Sequence, residues 1–571
     1  MGFTVNQSKD GFKVSTIDKD GKEYVLGCLE KQGDEIKKFI ASFDEFTDRD
    51  IYIIFGVSFT EHIRELIKVN KSFKRILVVE LNKEFFDFIK EEGELNYLQF
   101  DKRIHFATDK NMIKSFFDNF INDFNIANVK IGYYANVDKA YIKELSEIAV
   151  LVNDLSYKII NNRNTNLMFS SEWLDTLLSN LVYMKDSTPI NVYKDKYKDI
   201  PAIIVSAGPS LSKNIKKLRN IKNAIIISGG RNLNTLLENG VKPNFLASVD
   251  STDISHKHVE DNIENIDIPL LYYNATNKDI VKKHTSNKIF YTDNEFIRDI
   301  FEIDIPHLGG GGSVAHFSTN FALYAGCNPI IFVGQDLAYT DEKGHDDNSL
   351  NKNSTENIPV VRADDIEVDD IYGGKIKTSI VLDGFRKELE EIIATNNIVS
   401  FINSTEGGAM ILGTEIKELE KTIKDLEKIS VDLDIKDEFV EASVLIENLV
   451  DYKSLLVNIN NKCRNGVTII DKIEKSIGKP KAFSASVKNL ENTERYIKSN
   501  LDNLSIIKNK MFEIMYAASN SDKYKVKSTD TKVEYIKKNF RKNKDIYIEF
   551  SKVLTMTNKE INKILAEWKK V

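Results

Sequence analysis

Residues able to do chemistry gather in the middle third of the chain, at the ends of short apolar runs. Ala202–Val205 is followed by Ser206, Ala207, Gly208, Pro209 and Ser210. A strand that stops at a glycine and gives way to a helix start exposes backbone N–H groups that can cradle an anion. The same spacing also suits an ordinary strand-to-helix turn. No G-K-[ST] follows, so this is not a P-loop. A second run, Ala224–Ile227, ends in Ser228, Gly229, Gly230, Arg231 and Asn232. Arg231 has the fork geometry for phosphate, and Asn232 can read a base or a ribose hydroxyl; either can instead be a surface or capping residue. A third run, Phe245–Val249, ends in Asp250, with Asp253 close behind. Two carboxylates there suit a metal, a sugar hydroxyl or general base work, although Asp253 equally suits a helix cap.

Four consecutive glycines, Gly309–Gly312, precede Ser313 and an apolar helix containing His316. Such a run has a large ordering cost, which the close approach of a ligand to the backbone explains; a hinge is the other reading. A packed or capping role is expected for His316. The run Ile330–Val333 then ends in Gly334, Gln335, Asp336 and Tyr339, and Gly344 and His345 open a long polar loop (341–370) suited to a lid or acceptor loop. Asn403–Ala409, with Gly407 and Gly408, closes the series. Together these turns predict one composite pocket for a phosphorylated or nucleotide-bearing ligand. Gly208, Pro209, Ser210, Gly230, Arg231, Asn232, Gly311, Gly312 and Ser313 are the expected binding residues. Asp336, Asp250, His345 and Tyr339 are the expected catalytic ones, and no metal site is expected.

The elements that must hold these turns follow from composition and periodicity. The 571 residues are enough for several structural units. With 42% hydrophobic and 29% charged residues, the chain has an ordinary globular composition. Its net charge of −7 argues against general nucleic-acid binding. No stretch is apolar enough for a membrane span, and the polar N-terminus lacks a secretory h-region, so a cytoplasmic protein is expected. Cys28, Cys327 and Cys463 are too scattered for a disulfide framework. Residues 1–150 read as an N-terminal α/β domain: a hairpin region over 3–30, then a βαβ unit in which one strand ends at Gly56 and the next at Glu80. That acid resembles a ribose-binding carboxylate, but with a single glycine a ligand-free scaffold is the favoured reading. Residues 151–198 read as a helical linker and 199–413 as a Rossmann-like α/β domain. Residues 414–571 read as helix after helix, over Glu415–Ile429, Asp437–Asn458, Ala482–Tyr516 and Val533–Trp568.

On these motifs, residues 201–413 resemble the central domain of the motility-associated factors (Maf), flagellin glycosyltransferases grouped with MptE-like hydroxymethylpterin pyrophosphokinase domains. The stretches that carry the resemblance are VSAGPSL, SGGRNLNTLLENGVKPNFLASVD, GGGGSVAHFSTNFALYAGCNPIIFVGQDLAYTD and INSTEGGA. The N-terminal βαβ unit and the helical C-terminal region also look like Maf architecture. A weaker likeness extends to bacterial sialyltransferases that use CMP-sialic acid. It implies Gly208, Ser210 and Asn232 near CMP, Gly312 and Ser313 near phosphate or the sugar carboxylate, and Asp336 and Tyr339 near the leaving group.

The resemblance implies transfer of a nonulosonic acid, of pseudaminic or legionaminic type, from a CMP-sugar to Ser/Thr of flagellin, with no cofactor beyond the activated donor. The helical tail then binds flagellin helices or self-associates into a homo-oligomer. Two other readings stand beside it: an ATP-dependent 6-hydroxymethylpterin-type pyrophosphokinase, and a non-catalytic flagellin-binding assembly factor.

Overall fold

The computed structural model describes residues 2–306, 308, 312–345, 365–426, 441–524 and 530–570. The chain divides into two compact units, 1–168 and 169–571. In the first, β1 (Phe3–Gln7), β2 (Lys13–Lys19) and β3 (Lys22–Leu26) form an antiparallel meander. Its turns run through Gly11, Asp20 and Gly21 at positive φ. β4 (Ile51–Phe55), β5 (Arg75–Val79), β6 (Ile104–Ala107) and β7 (Val129–Tyr133) make a parallel sheet in the order β6-β5-β4-β7. β4 is buried along its whole length, as its unbroken apolar run requires.

The strand-end acid of this unit faces inward. Glu80 is 2% exposed, and its carboxylate accepts hydrogen bonds from the backbone N–H of Val57 at 3.0 Å and of Asn82 at 2.9 Å. A Cβ on Gly56 would lie 2.7 Å from Val137. The acid closes its own turn, as a scaffold residue does. His62 is fully buried, stacked on Tyr134 at 3.6 Å between ring centroids, with Nε2 3.0 Å from the Gly56 carbonyl. Burial pulls its imidazole down from 6.5 to about 3, against that hydrogen bond.

In the second unit, the part of the helix Ile142–Met184 that follows Met168 buries Leu174, Leu177, Leu178, Leu181 and Met184. β8 (Thr188–Pro189), β9 (Ala202–Val205), β10 (Ile225–Gly229), β11 (Phe245–Ser248), β12 (Leu270–Tyr273), β13 (Lys288–Tyr291) and β14 (Ile330–Val333) follow. β15 (Ile366–Asp369) and β16 (Lys375–Thr378) form an antiparallel hairpin, and β17 (Phe401–Asn403) and β18 (Glu415–Ile416) complete the set. Nine of these strands make one parallel sheet, ordered β18-β17-β14-β9-β10-β11-β12-β13-β8. The chain steps outward from β9 to β13, then returns to pair β14 on the other side of β9. This reversal is the topological switch point of a doubly wound sheet, and a crevice opens there beyond the carboxyl ends of the strands.

The C-terminal helices share a core with the sheet: Leu445, Leu456, Ile470, Leu554 and Trp568 join the cluster that contains Ile227, Phe245 and Phe332. Trp568 is 1% exposed and its Nε1 donates to the Val182 carbonyl at 3.2 Å. Three helical expectations are corrected. Glu415–Ile416 is an edge strand, and among the described residues of that stretch Leu419–Asp425 is helical. The expected start at Asp437 lies outside the described residues, and the helix runs over Ala442–Ser476. Ala482–Tyr516 is not one helix but Pro480–Lys498 and Lys508–Asn520, separated by a 3₁₀ stretch over Asp502–Ile507. The break brings Ser505 to Asn294, where its Oγ accepts from the Phe296 N–H at 2.8 Å. Tertiary bonding outweighs helical propensity there. Among the described residues, no helix is long and apolar enough to cross a membrane.

One expectation concerns His62. Unfolded, it takes up a proton near 6.5, whereas folded it stays neutral to about 3. Its contribution is therefore complete above 6.5 and is lost as the pH falls from 6.5 towards 3. The melting-temperature gap between the wild type and His62→Phe should narrow across that window; a gap independent of pH would contradict this.

Candidate functional site

Three carboxyl-end turns and one helix start wall a single cavity of about 240 Å³ at the switch point. The turn after β9 supplies Ser206, Ala207 and Gly208, that after β10 supplies Gly229, Gly230, Arg231 and Asn232, and that after β14 supplies Gly334 to Ala338. Ser313, Val314 and Ala315 come from the start of the helix Val314–Tyr324, and Gly344 and His345 close one side. Each strand is apolar because both faces of the sheet are covered. Polar chemistry therefore begins where each strand stops.

Asp336 ties these turns together. It is 1% exposed. Its Oδ2 accepts from the Ser210 hydroxyl at 2.8 Å, and the Ser210 N–H points at both carboxylate oxygens, at 3.2 and 3.3 Å. Burial pushes its carboxyl up from the ordinary value, while the Thr340 and Ser210 hydroxyls pull it down. Glycines surround it by necessity. A Cβ on Gly208 would lie 2.1 Å from Asp336 Oδ2 and 2.4 Å from the Gly334 carbonyl. One on Gly408, at φ +91°, would lie 2.3 Å from the Asp336 carbonyl. Asp336 thus clamps the β9 turn to the β14 turn, and Ser210 faces this clamp.

Asn232 bridges β9 and β10. Its Nδ2 donates to the Val205 carbonyl at 3.0 Å, and its Oδ1 accepts from the Ser228 hydroxyl at 3.1 Å. Both polar atoms hold the crevice in shape. The Ser206 hydroxyl likewise donates to Gln335 Oε1.

At the helix start, Ser313 Oγ accepts from the His316 N–H at 3.4 Å and lies 3.2 Å from His316 Nδ1. His316 Nε2 is 2.9 Å from the Phe385 carbonyl. A carbonyl can only accept, so Nε2 carries the proton and Nδ1 accepts from the Ser313 hydroxyl. Burial holds this imidazole below its ordinary value. His316 is therefore packed, as expected of it, its hydrogen bonds suit the neutral ring, and it orients Ser313 at the cavity wall. Gly312 lies against Phe385, where a Cβ would meet the ring at 2.8 Å. Gly311 lies outside the described residues.

The other expected residues fall around this cavity. Pro209 stands in the β9 turn, just beyond the lining residues. Tyr339 also lies outside the lining: its N–H donates to the Lys377 carbonyl of β16 at 2.9 Å and its hydroxyl to Asp365 at 3.2 Å. Asp250 is exposed and lines an adjoining cavity of about 130 Å³, which shares Gly230, Arg231 and Val314 with the first. Of the polar loop after Asp341, residues 346–364 lie outside the described residues. Among the described residues no cluster of metal-ligating side chains forms. Sequence reasoning did not single out Gln335 or Phe385 as wall residues. Gln335 sits inside a recognised strand-end motif, but Phe385 comes from the helix Ile380–Thr395, which carries no such signal.

Comparison with known proteins fits this geometry. Residues 175–342 match the family described as 6-hydroxymethylpterin diphosphokinase MptE-like. The solved structure of the MAf glycosyltransferase from Magnetospirillum magneticum AMB-1 aligns over 100% of this chain and 93% of that one, with a TM-score of 0.57 and 13% identity. No curated protein matches the chain. Residues 175–342 are thus similar to the MptE-like family, and the fold of the whole chain is similar to that of the Maf structure.

The clamp makes a testable pair. Asp336→Ala should cost about 1–3 kcal/mol, because the Ser210 donors lose their acceptor. Gly208→Ala alone should be more damaging, since its methyl would strike the carboxylate. In the double variant the two costs should add to less than their sum, by at least about 0.5 kcal/mol in a chemical-denaturation cycle. Strict additivity would show that the two residues do not meet.

Proposed function

We propose that this protein is a glycosyltransferase that moves a nonulosonic acid from a CMP-activated donor to Ser/Thr hydroxyls of flagellin, in the cytoplasm and without a further cofactor. The observation that carries the reading is the convergence of three glycine-bearing strand ends and a helix start on one cavity at the switch point. Departure of CMP develops negative charge on a phosphate and positive charge on the sugar. Backbone N–H groups of the turn at Gly230, the start of the helix after Ser313, and Arg231 are the groups suited to hold that phosphate, whereas in the turn at Gly208 the Gly208 and Ser210 N–H groups already donate to the Gly334 carbonyl and to Asp336. The Ser313 hydroxyl gives its one proton to His316 Nδ1, and by turning from that nitrogen it can donate the same proton to the phosphate instead. In this reading Asp336 is a positioning residue, because its carboxylate already serves Ser210. His345, in the same cavity, and Asp250, in the adjoining one, are then the candidates to take the proton of the acceptor hydroxyl. Tyr339 would act through the hairpin to which its backbone is bonded.

The description of the matched family favours a second reading, transfer of pyrophosphate from ATP to a pterin alcohol. In that case the same N–H groups would hold the polyphosphate.

Turnover separates the two readings. The purified chain should add the mass of one or more nonulosonic acids to flagellin when given the CMP-sugar, and release no AMP from ATP with hydroxymethylpterin. Ser313→Ala should slow transfer about 10²-fold, the usual loss for one donor to developing charge. AMP release with the pterin, and no mass gain on flagellin, would overturn the proposal in favour of the kinase.

A further inference from the structure

The carboxyl edge of the sheet carries another cavity, of about 350 Å³, beyond the ends of β12 and β13. Strands lie about 4.8 Å apart, so it stands roughly 10–20 Å along the edge from β9 and β10. None of the residues that line it lines the cavity at the switch point. We infer that this second cavity binds a neutral sugar ring.

Its walls carry an indole, two carboxylates and a buried amide. Trp173 is half-buried in the lining, and its ring lies 5.9 Å from that of Phe169, tilted by 22°. Phe169 covers one side of the indole. Asn274 is 4% exposed, and its Oδ1 has no hydrogen-bond partner among the described residues. A buried amide oxygen without a donor is a liability, relieved when a ligand or water donates to it. Asp293 stands nearby, with one carboxylate oxygen accepting from the Tyr273 hydroxyl at 2.6 Å. That bond fixes the carboxylate and leaves its second oxygen to accept from elsewhere. Glu295 adds a further carboxylate to the lining.

The frame is rigid. Asn294 Nδ2 donates to the Ser505 carbonyl at 3.2 Å, and the Ser505 hydroxyl donates back to Asn294 Oδ1 at 3.1 Å. The lysines of the lining do not turn the site towards anions. Lys510 pairs with Glu513 at 2.6 Å, and Lys508 faces a cavity that also holds Asp293 and Glu295.

These features select among ligands. A sugar ring offers one apolar C–H face for an indole and several hydroxyl donors for amide and carboxylate oxygens. An anionic ligand meets two carboxylates. A peptide backbone offers no flat C–H face for the indole. The inference does not rest on the chemistry proposed for the switch-point cavity, and it stands whichever ligand that cavity takes.

The chain has two tryptophans, Trp173 and the buried Trp568, so its own fluorescence reports on the site. The full-length protein is titrated with glucose, galactose, mannose and N-acetylglucosamine, followed by fluorescence and by calorimetry. At least one should give a saturable heat and a saturable fluorescence change. Trp173→Phe should abolish the fluorescence change, and Trp568→Phe should keep it. Asp293→Asn, which leaves an oxygen for the Tyr273 hydroxyl, should weaken binding about tenfold, as loss of a charge-assisted hydrogen bond does. Both Trp173→Phe and Asp293→Asn should keep the wild-type circular dichroism and melting temperature. Failure of every sugar to saturate would overturn the inference. So would heats unchanged by both Trp173→Phe and Asp293→Asn, or saturation by a Ser/Thr-rich peptide in place of the sugars.

Discussion

One buried carboxylate holds the switch point together. A doubly wound sheet opens a crevice where its strand order reverses, but the turns that emerge there are glycine-rich and have little reason to stay put. Asp336 supplies that reason. It leaves β14, crosses to the β9 turn and accepts both the hydroxyl and the N–H of Ser210. Burial opposes its charge, and the hydrogen bonds to that charge make the arrangement tolerable. The glycines at 208 and 408 follow from it, because no side chain fits beside the carboxylate at 208 or beside its backbone at 408. The cavity exists because these turns are fixed against one another.

The same logic organises the rest of the crevice. Asn232 pins β10 to β9, and His316, bonded to the Phe385 carbonyl, orients Ser313. Each of these polar side chains would be costly if buried alone, and each is instead satisfied by a neighbouring strand or helix end. The wall left facing the cavity combines glycine-bearing turns and the helix start with apolar side chains, among them Val314, Leu382 and Phe385.

Much of this was legible in the sequence. The apolar runs that stop at Gly208, Gly229 and Gly334 are strands, and their turns meet in space. Two parallel strands that share a sheet must emit their turns on the same edge, so the convergence follows from the βα pattern itself. The inward bonding of Asp336 and Asn232 was not legible, because a polar residue at a strand end looks the same whether it faces a ligand or a neighbouring turn. The wall formed by Phe385 was hidden as well, since it depends on how a helix some 50 residues further on packs back. The break near Ser505 was missed for a related reason: its partner, Asn294, is remote in sequence, while the local pattern favours a helix. At Gly56 and Glu80 the sequence offered a ligand reading and a scaffold reading, and the hydrogen bonds to Val57 and Asn82 favour the scaffold.

The most direct test is calorimetric titration of CMP into the full-length chain, beside Ser313→Ala and Arg231→Ala variants whose folding is verified by circular dichroism. The account predicts saturable binding to the wild type, weakened about tenfold or more in each variant, as loss of one charge-assisted phosphate contact implies. Absence of binding, or binding that both variants leave unchanged, would contradict it.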